Sequence, residues 1–491
     1  PRTHEPLFRN TIREGGLNPY LFEMANIRDQ CSWVHMSLHA EATEKSKDLV
    51  RMAVAKSALL EPLQERHMKI NQDALVVGGG VAGMTAALDL AGQGFIVHLV
   101  EKEAELGGNL RRIRYIAGHG DTAEELASLI EATQNSDNIH LHLGARILAI
   151  DGSLGRFNTK VREADGSEVE FDHGGVIVAT GGDEYKPTEY LYGESERVLT
   201  QLELEDRMDN GGLGGAKTIA MIQCVGSRDE ERPYCSRVCC TAAITNALRI
   251  KEADPTAEVA ILYRDIRTYG MREELYTEAR EKGVIFIRFE DDDKPRVEGN
   301  GAGLKVTVND ALLKMPLEID ADLLVLSAGI VPPEGNEELA QFLKVPLDQD
   351  GFFLEAHMKL RPVDFATDGV YVCGTAHAPK SVDESIIQAS AAAARATTLL
   401  SKEIIDLEPT ISRVIDANCD GCAYCVEPCP YQAITLLEYM KDGQIKKTVE
   451  SDPSLCKGCG VCMATCPKDG IVIDHFRLDQ LSAMVDAAMG E

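Results

Sequence analysis

No run of 18 uncharged apolar residues occurs in the chain, so nothing in it reads as a membrane-spanning helix. There is no basic surplus. Asp and Glu number 79 against 50 Lys and Arg, a formal net charge of −29. Such a surface repels phosphate backbones, which excludes nucleic acid as an expected ligand. Solubility accounts for the charge, with docking of basic partner surfaces as its other use. The N-terminus does not read as a signal peptide either. The chain opens Pro1-Arg2-Thr3-His4, with neither an initiator Met nor an apolar stretch, as a mature or trimmed end would. Without a secretion signal the 14 cysteines read as metal or redox ligands before they read as disulfides. The balance of 44% hydrophobic and 26% charged residues excludes global disorder, and 491 residues exceed one core, so two to four domains are expected.

Residues 1–72 carry no dinucleotide motif. Glu41 to Leu60 alternates charge with Leu49, Val50, Met52, Val54 and Leu59 at helical spacing, and packing onto the next domain accounts for Cys31 and Trp33. From Asp73 the texture becomes strand, turn, helix, strand. The expected domains are a helical segment over 1–72, a first dinucleotide-binding domain over 73–200 and 318–400, and an inserted second one over 201–317. A linker over 401–418 and a C-terminal domain over 419–491 follow. Leu323 to Leu326 and Val370 to Cys373 are expected to close the first domain.

The C-terminal domain holds an internal repeat. Cys419, Cys422, Cys425 and Cys429-Pro430 recur as Cys456, Cys459, Cys462 and Cys466-Pro467, offset by 37 residues. Three thiolates at this spacing wrap one iron-sulfur cube, and the fourth of each run ligates the other cube. One 4Fe-4S cluster is therefore expected on Cys419, Cys422, Cys425 and Cys466, the other on Cys456, Cys459, Cys462 and Cys429. A pair of zinc knuckles is the rival reading, and the doubled Cys-Pro ending argues against it.

Gly78, Gly80 and Gly83, with Val81 and Ala82 between them, form G-x-G-x-x-G between a strand and a helix. Glu101 ends the next strand, followed by Lys102. The glycines turn the chain, admit a pyrophosphate and pack helix on strand; the acid takes ribose hydroxyls. FAD and NAD share this pattern. Three later stretches favour FAD: Gly107-Gly108-Asn109-Leu110, Ala179-Thr180-Gly181, and Gly374-Thr375-Ala376. The set resembles the flavoproteins of the thioredoxin reductase type, in which these segments respectively lie along the flavin, line its adenine side and bind its ribityl and pyrimidine atoms. Lys380, Glu384 and Gln388 are the polar side chains expected to touch flavin, Lys380 as the candidate catalytic residue. For each, a charge or polar group at a helix start is the plainer reading.

That resemblance implies a second glycine fingerprint, for NAD(P)H, in the inserted domain. It is missing. The strand Thr218 to Ile222 leads instead to Cys224, Cys235, Cys239 and Cys240. Four cysteines within 17 residues suffice for a third cube; a redox dithiol and inert buried thiols are the alternatives. Cys31 could replace one of the four, and Cys373 reads as a packing residue.

Asn26-Ile27-Arg28-Asp29-Gln30-Cys31-Ser32-Trp33, the fingerprint, Cys224-Val225-Gly226-Ser227-Arg228 with Tyr234-Cys235-Ser236-Arg237-Val238-Cys239-Cys240, and the doubled Cys run together resemble the A-type flavoprotein of heterodisulfide reductase and its bacterial homologues. The resemblance spans essentially the whole chain. It implies an α/β flavoprotein with two dinucleotide-binding domains and a C-terminal two-cluster ferredoxin domain. It implies one FAD, three 4Fe-4S clusters and a cytoplasmic oxidoreductase of anaerobes within a multi-subunit complex. Partners would be polypeptides like the B- and C-type components of heterodisulfide reductase, hydrogenase- or dehydrogenase-linked chains, ferredoxin, and a second copy of this chain. Class II benzoyl-coenzyme A reductase complexes are another setting for such a component. Flavin-based electron bifurcation is the expected activity, with an NAD(P)H:ferredoxin-type reductase and a non-bifurcating wiring scaffold as alternatives. Family members usually carry a further N-terminal domain, and this sequence starts after it.

Overall fold

The computed structural model describes residues 4–116, 120–299, 303–441 and 443–490; the Pro1 to Thr3 end lies outside them. The chain divides into two compact units, Ile70–Glu403 and Pro1–Lys69 with Ile404–Glu491.

Ile70–Glu403 holds two bodies of like design. In the first, five strands lie in the order Val370–Val372, Gly175–Val178, Ala74–Val77, Val97–Glu101, Ile139–Leu143, all neighbours parallel. Strands such as Ala74-Leu75-Val76-Val77 are apolar on both faces because both faces are covered. Helices Val81–Ala91, Ala123–Gln134 and Val382–Leu400 cover one face, joining Met84, Leu90, Ala389 and Ala393 to Leu99 and Ile177. An antiparallel meander, Arg146–Ser153, Arg156–Arg162, Glu168–His173, brings Phe157 and Val161 to Leu75 and Val176 on the other.

The second body repeats the plan. Its parallel sheet runs Val198–Thr200, Leu323–Ala328, Thr218–Val225, Glu258–Tyr263, Ile285–Arg288. Helices Gln201–Gly211, Cys239–Ala253 and Glu273–Glu281 and a meander over Arg296–Gly299, Leu304–Asp310 and Met315–Ala321 cover it. This corrects one expectation. Leu323 to Leu326 closes the second sheet, between Val198–Thr200 and Thr218–Val225, and not the first. A doubly covered parallel strand is apolar whichever sheet owns it, so its composition does not name its neighbours.

In the other unit, strand Arg66–Lys69 pairs antiparallel with Ile404–Leu407, and Ser412–Val414 pairs with Ile471–Ile473. The stretch 401–418 is thus no free linker; its strands are too short to announce themselves in sequence. Helix His39–Ser57 packs beside Leu478–Met489. Gln480 Nε2 donates to Leu59 O at 2.9 Å, and buried Lys56 pairs with Glu23 at 2.8 Å under the Phe476 ring. The N-terminal segment therefore belongs with the C-terminal domain and not with the body that follows it in sequence. Cys31 is buried there, its thiol donating to Ala42 O, whereas Trp33 is exposed under the Arg28 guanidinium. Among the described residues, no helix is long and apolar enough to cross a membrane.

Candidate functional site

A cavity of about 760 Å³ opens at the carboxyl ends of the first sheet, within the size range of cofactor sites. Its lining includes Gly78, Gly80, Val81, Ala82, Glu101, Lys102, Gly108, Asn109, Leu110, Ala179, Thr180, Gly181, Thr375 and Lys380, fourteen of the residues read from sequence. The fingerprint glycines fit a phosphate cradle. A Cβ on Gly83 would stand 1.7 Å from Gly78 O, so strand turn and helix meet at glycine-only distance. A Cβ on Gly80 would meet no protein atom and would project into space that the backbone leaves to a ligand.

Glu101 is buried. Its Oε2 accepts Gly79 N–H at 2.5 Å and its Oε1 accepts Glu103 N–H at 2.8 Å, which fixes the carboxylate and leaves lone pairs for a ribose. Asn109 Nδ2 donates to Gly182 O at 2.6 Å and ties two of the three later stretches together. Lys380 is 9% exposed and donates to Gly374 O at 2.6 Å and Ala378 O at 2.9 Å. Burial pulls its ammonium down to about 8, so it gives up its proton far more readily than a surface lysine.

Six residues read as cofactor contacts do not line the cavity. Gly83, Gly107, Gly374 and Ala376 support it from behind: Gly107 N–H donates to Gly79 O, and Gly374 O holds Lys380. Glu384 caps its own helix through Ser381 N–H at 2.9 Å and pairs with Arg237 at 2.6 Å, so the helix-start reading describes it better. Gln388 Nε2 sits 3.2 Å from His377 Nδ1. Sequence reasoning missed the far wall, made by Leu202, Glu205, Val238, Thr241, Thr245 and Arg272 of the second body. No local motif could have announced it, because residues far apart in the chain build it.

The cysteines of the second body lie at a strand end, on the loop after it and at the start of the next helix. Cys224, Arg228 and Arg237 all adopt φ near +60°, a region that non-glycine residues rarely occupy. Cys239 and Cys240 open helix Cys239–Ala253. Burial, and then mutual repulsion with Cys240, Cys224 and Cys235, drives the Cys239 thiol well up. Burial pushes Cys240 up to about 12. Arg237 N–H donates to Cys235 Sγ at 3.3 Å, and Arg228 Nη1 approaches Cys224 Sγ at 3.8 Å; both favour sulfur carrying negative charge. Cys373 is fully buried at the end of its strand.

In the C-terminal repeat the amide of Ala433 donates to Cys429 Sγ at 3.4 Å and that of Gly470 to Cys466 Sγ at 3.2 Å, the same bond at the repeat offset. Cys429 lines one small cavity with Cys456, Cys459 and Cys462. The Cys425 thiol is raised by burial first, then by Cys466, Cys419 and Cys422 around it. Among the described residues no three His, Cys, Asp or Glu side chains converge on a single-ion site. A cube needs no such convergence, since its four thiolates bind four separate irons.

Residues 418–469 match the 4Fe-4S dicluster domain family, and residues 72–220 match the pyridine nucleotide-disulphide oxidoreductase family. The A-type component of the H2:CoB-CoM heterodisulfide, ferredoxin reductase of Methanothermobacter thermautotrophicus is 38% identical over 100% of this chain and 87% of its own length. The second A-type iron-sulfur component of CoB–CoM heterodisulfide reductase from Methanopyrus kandleri is 38% identical over 91% of this chain and 82% of its own. Among solved structures, Lactococcus lactis thioredoxin reductase aligns with 67% of this chain and 99% of its own, at 18% identity and a TM-score of 0.48. The fold is that of a two-body Rossmann-type flavoprotein with a C-terminal dicluster domain. Dinucleotide cradle and paired cysteine runs on one chain make it an oxidoreductase that carries electrons between a flavin and iron-sulfur clusters. Identity of 38% over nine-tenths or more of this chain and four-fifths or more of those relatives settles its kinship: the chain belongs to the family of A-type iron-sulfur flavoproteins of heterodisulfide reductase.

Proposed function

We propose that the chain binds one FAD and three 4Fe-4S clusters and divides electrons from the flavin between two cluster routes, as the bifurcating component of a cytoplasmic multi-subunit complex in an anaerobe. The observation that carries this reading is the second body's loop. Where a phosphate-cradling turn belongs, at and beyond the end of strand Thr218–Val225, stand Cys224 on strained backbone and then Cys235, Cys239 and Cys240, with Arg228 beside Cys224 and Arg237 beside Cys235. Val238, at the start of the helix that bears two of them, also lines the flavin cavity. Bound FAD would supply exchange between an electron pair and single electrons. Gly78 to Gly83 would hold its pyrophosphate, Glu101 its ribose, and Asn109, Thr375 and Lys380 its ring end. The four cysteines would hold one cube near that end, and the two C-terminal runs the other two. Ferredoxin, B- and C-type components, hydrogenase- or dehydrogenase-linked chains and a second copy of the chain are the partners that fit.

The anoxically purified chain should hold about 12 irons, and Cys239→Ala and Cys240→Ala should each remove up to about four while FAD stays bound. Iron and flavin analysis checks this. Stopped-flow reduction by NADH, NADPH and reduced ferredoxin separates the alternatives. About eight irons in the parent, or rapid flavin reduction by NADPH alone, would put the simple reductase ahead. Glu101→Ala should weaken FAD binding by about 1.5–3 kcal/mol, roughly ten- to 150-fold, through loss of a charge-assisted bond to ribose. Equilibrium dialysis measures it; an unchanged affinity would remove Glu101 from the site.

A further inference from the structure

We infer that the Thr245 hydroxyl contacts the ring end of the flavin, so that the second body closes the cofactor cavity with a residue of its own. This rests on the FAD reading above. The observation is a hydroxyl that behaves unlike its peers. Threonines inside helices ordinarily return their hydroxyl to the carbonyl four residues back. Thr85 does so to Val81 at 2.8 Å, Thr133 to Leu129 at 2.7 Å, Thr397 to Ala393 at 2.9 Å and Thr465 to Val461 at 3.0 Å. Thr245, in the middle of helix Cys239–Ala253, is 6% exposed, and its Oγ1 is buried without a partner. A buried hydroxyl left unpaired is costly, and a protein keeps one where something else completes it. Thr245 lines the flavin cavity together with Thr241 and Glu205.

Which end of the cofactor it meets follows from what this wall touches. Glu205 Oε2 accepts Arg114 N–H at 2.8 Å, just beyond Asn109. Arg272 pairs with Asp383 and Arg237 with Glu384, just beyond Lys380. Both anchor points adjoin the stretches assigned to the ring, whereas the ribose acid, Glu101, is bonded to Gly79. A flavin's pyrimidine edge offers carbonyl and ring-nitrogen acceptors beside an N–H, and a hydroxyl can serve either.

The test uses the full chain, purified without oxygen, stripped of flavin and reconstituted. Thr245→Val should raise the FAD dissociation constant about tenfold and shift the bound-flavin absorbance, while ADP binds the flavin-free protein as tightly as before. The same change should raise the first melting transition of the flavin-free chain by about 2 °C, because it removes an orphaned buried hydroxyl. Thr245→Ser should restore FAD affinity to within about twofold, since it keeps the donor. Unchanged FAD affinity in Thr245→Val would overturn the inference. So would an equal loss of ADP binding, which would put the contact at the adenosine end, or a lower melting temperature with FAD unaffected, which would make the hydroxyl structural. A parent chain that takes up no FAD on reconstitution overturns the flavin reading itself, and this inference with it.

Discussion

Cys429→Ala should cost the cluster that belongs to the other cysteine run. Cys429 follows Cys419, Cys422 and Cys425 in sequence, yet it lines a cavity with Cys456, Cys459 and Cys462. A cube deprived of one thiolate is exposed at one iron and loses its hold, so about four irons should leave. The surviving C-terminal cube should be the one on Cys419, Cys422, Cys425 and Cys466. Cys466→Ala should give the mirror result, sparing the cube on Cys456, Cys459 and Cys462. Low-temperature EPR of the two variants, reduced in parallel, should show complementary C-terminal signals that sum to the parent's. If each variant instead lost the cube of its own run, the crossed assignment would be wrong.

Gly83→Ala should abolish flavin retention in a protein that still folds. The added methyl would stand 1.7 Å from Gly78 O and 2.9 Å from its carbonyl carbon. Neither is a flexible side chain. The start of helix Val81–Ala91 would have to retreat from strand Ala74–Val77, and overpacking of this kind costs about 1–3 kcal/mol of stability. The effect on the cofactor is larger. The same retreat withdraws the first amides of the helix from the pyrophosphate, and two charge-assisted bonds at about 1.5–3 kcal/mol each amount to a loss of about 100-fold or more in affinity. Gly80→Ala, by contrast, meets no protein atom. It should leave the melting of the flavin-free chain unchanged and weaken FAD only by crowding the phosphates. Flavin fluorescence after gel filtration, with melting curves of both variants, checks the pair; a flavin-replete Gly83→Ala protein would count against the cradle.

Much of the site was legible because local chemistry forces it. Gly78 to Gly83 must be glycine where carbonyl meets helix, and the Cys runs must keep their spacing to reach a cube, so both motifs are visible in a dozen residues. Glu384 was legible in its plainer sense, as a helix-start acid. What could not be read is whatever depends on partners distant in the chain. Leu323 to Leu326 has the composition of any doubly covered strand, so its residues do not say which sheet owns it. Ile404–Leu407 looks like linker until Arg66–Lys69 lies beside it. Thr245 is an ordinary helical threonine by sequence; only its missing hydrogen bond and the cavity beside it set it apart.

A crossed ligation by Cys429 and Cys466 would also bear on how such a module can change over generations. In that arrangement each half of the repeat would supply three of its own sulfurs and lend the fourth to its twin. A gene that lost one half would then leave neither cluster with its four sulfurs. The smallest piece that could be discarded intact would therefore be the pair, and the 37-residue repeat would be a period of structure without being a unit that stands alone.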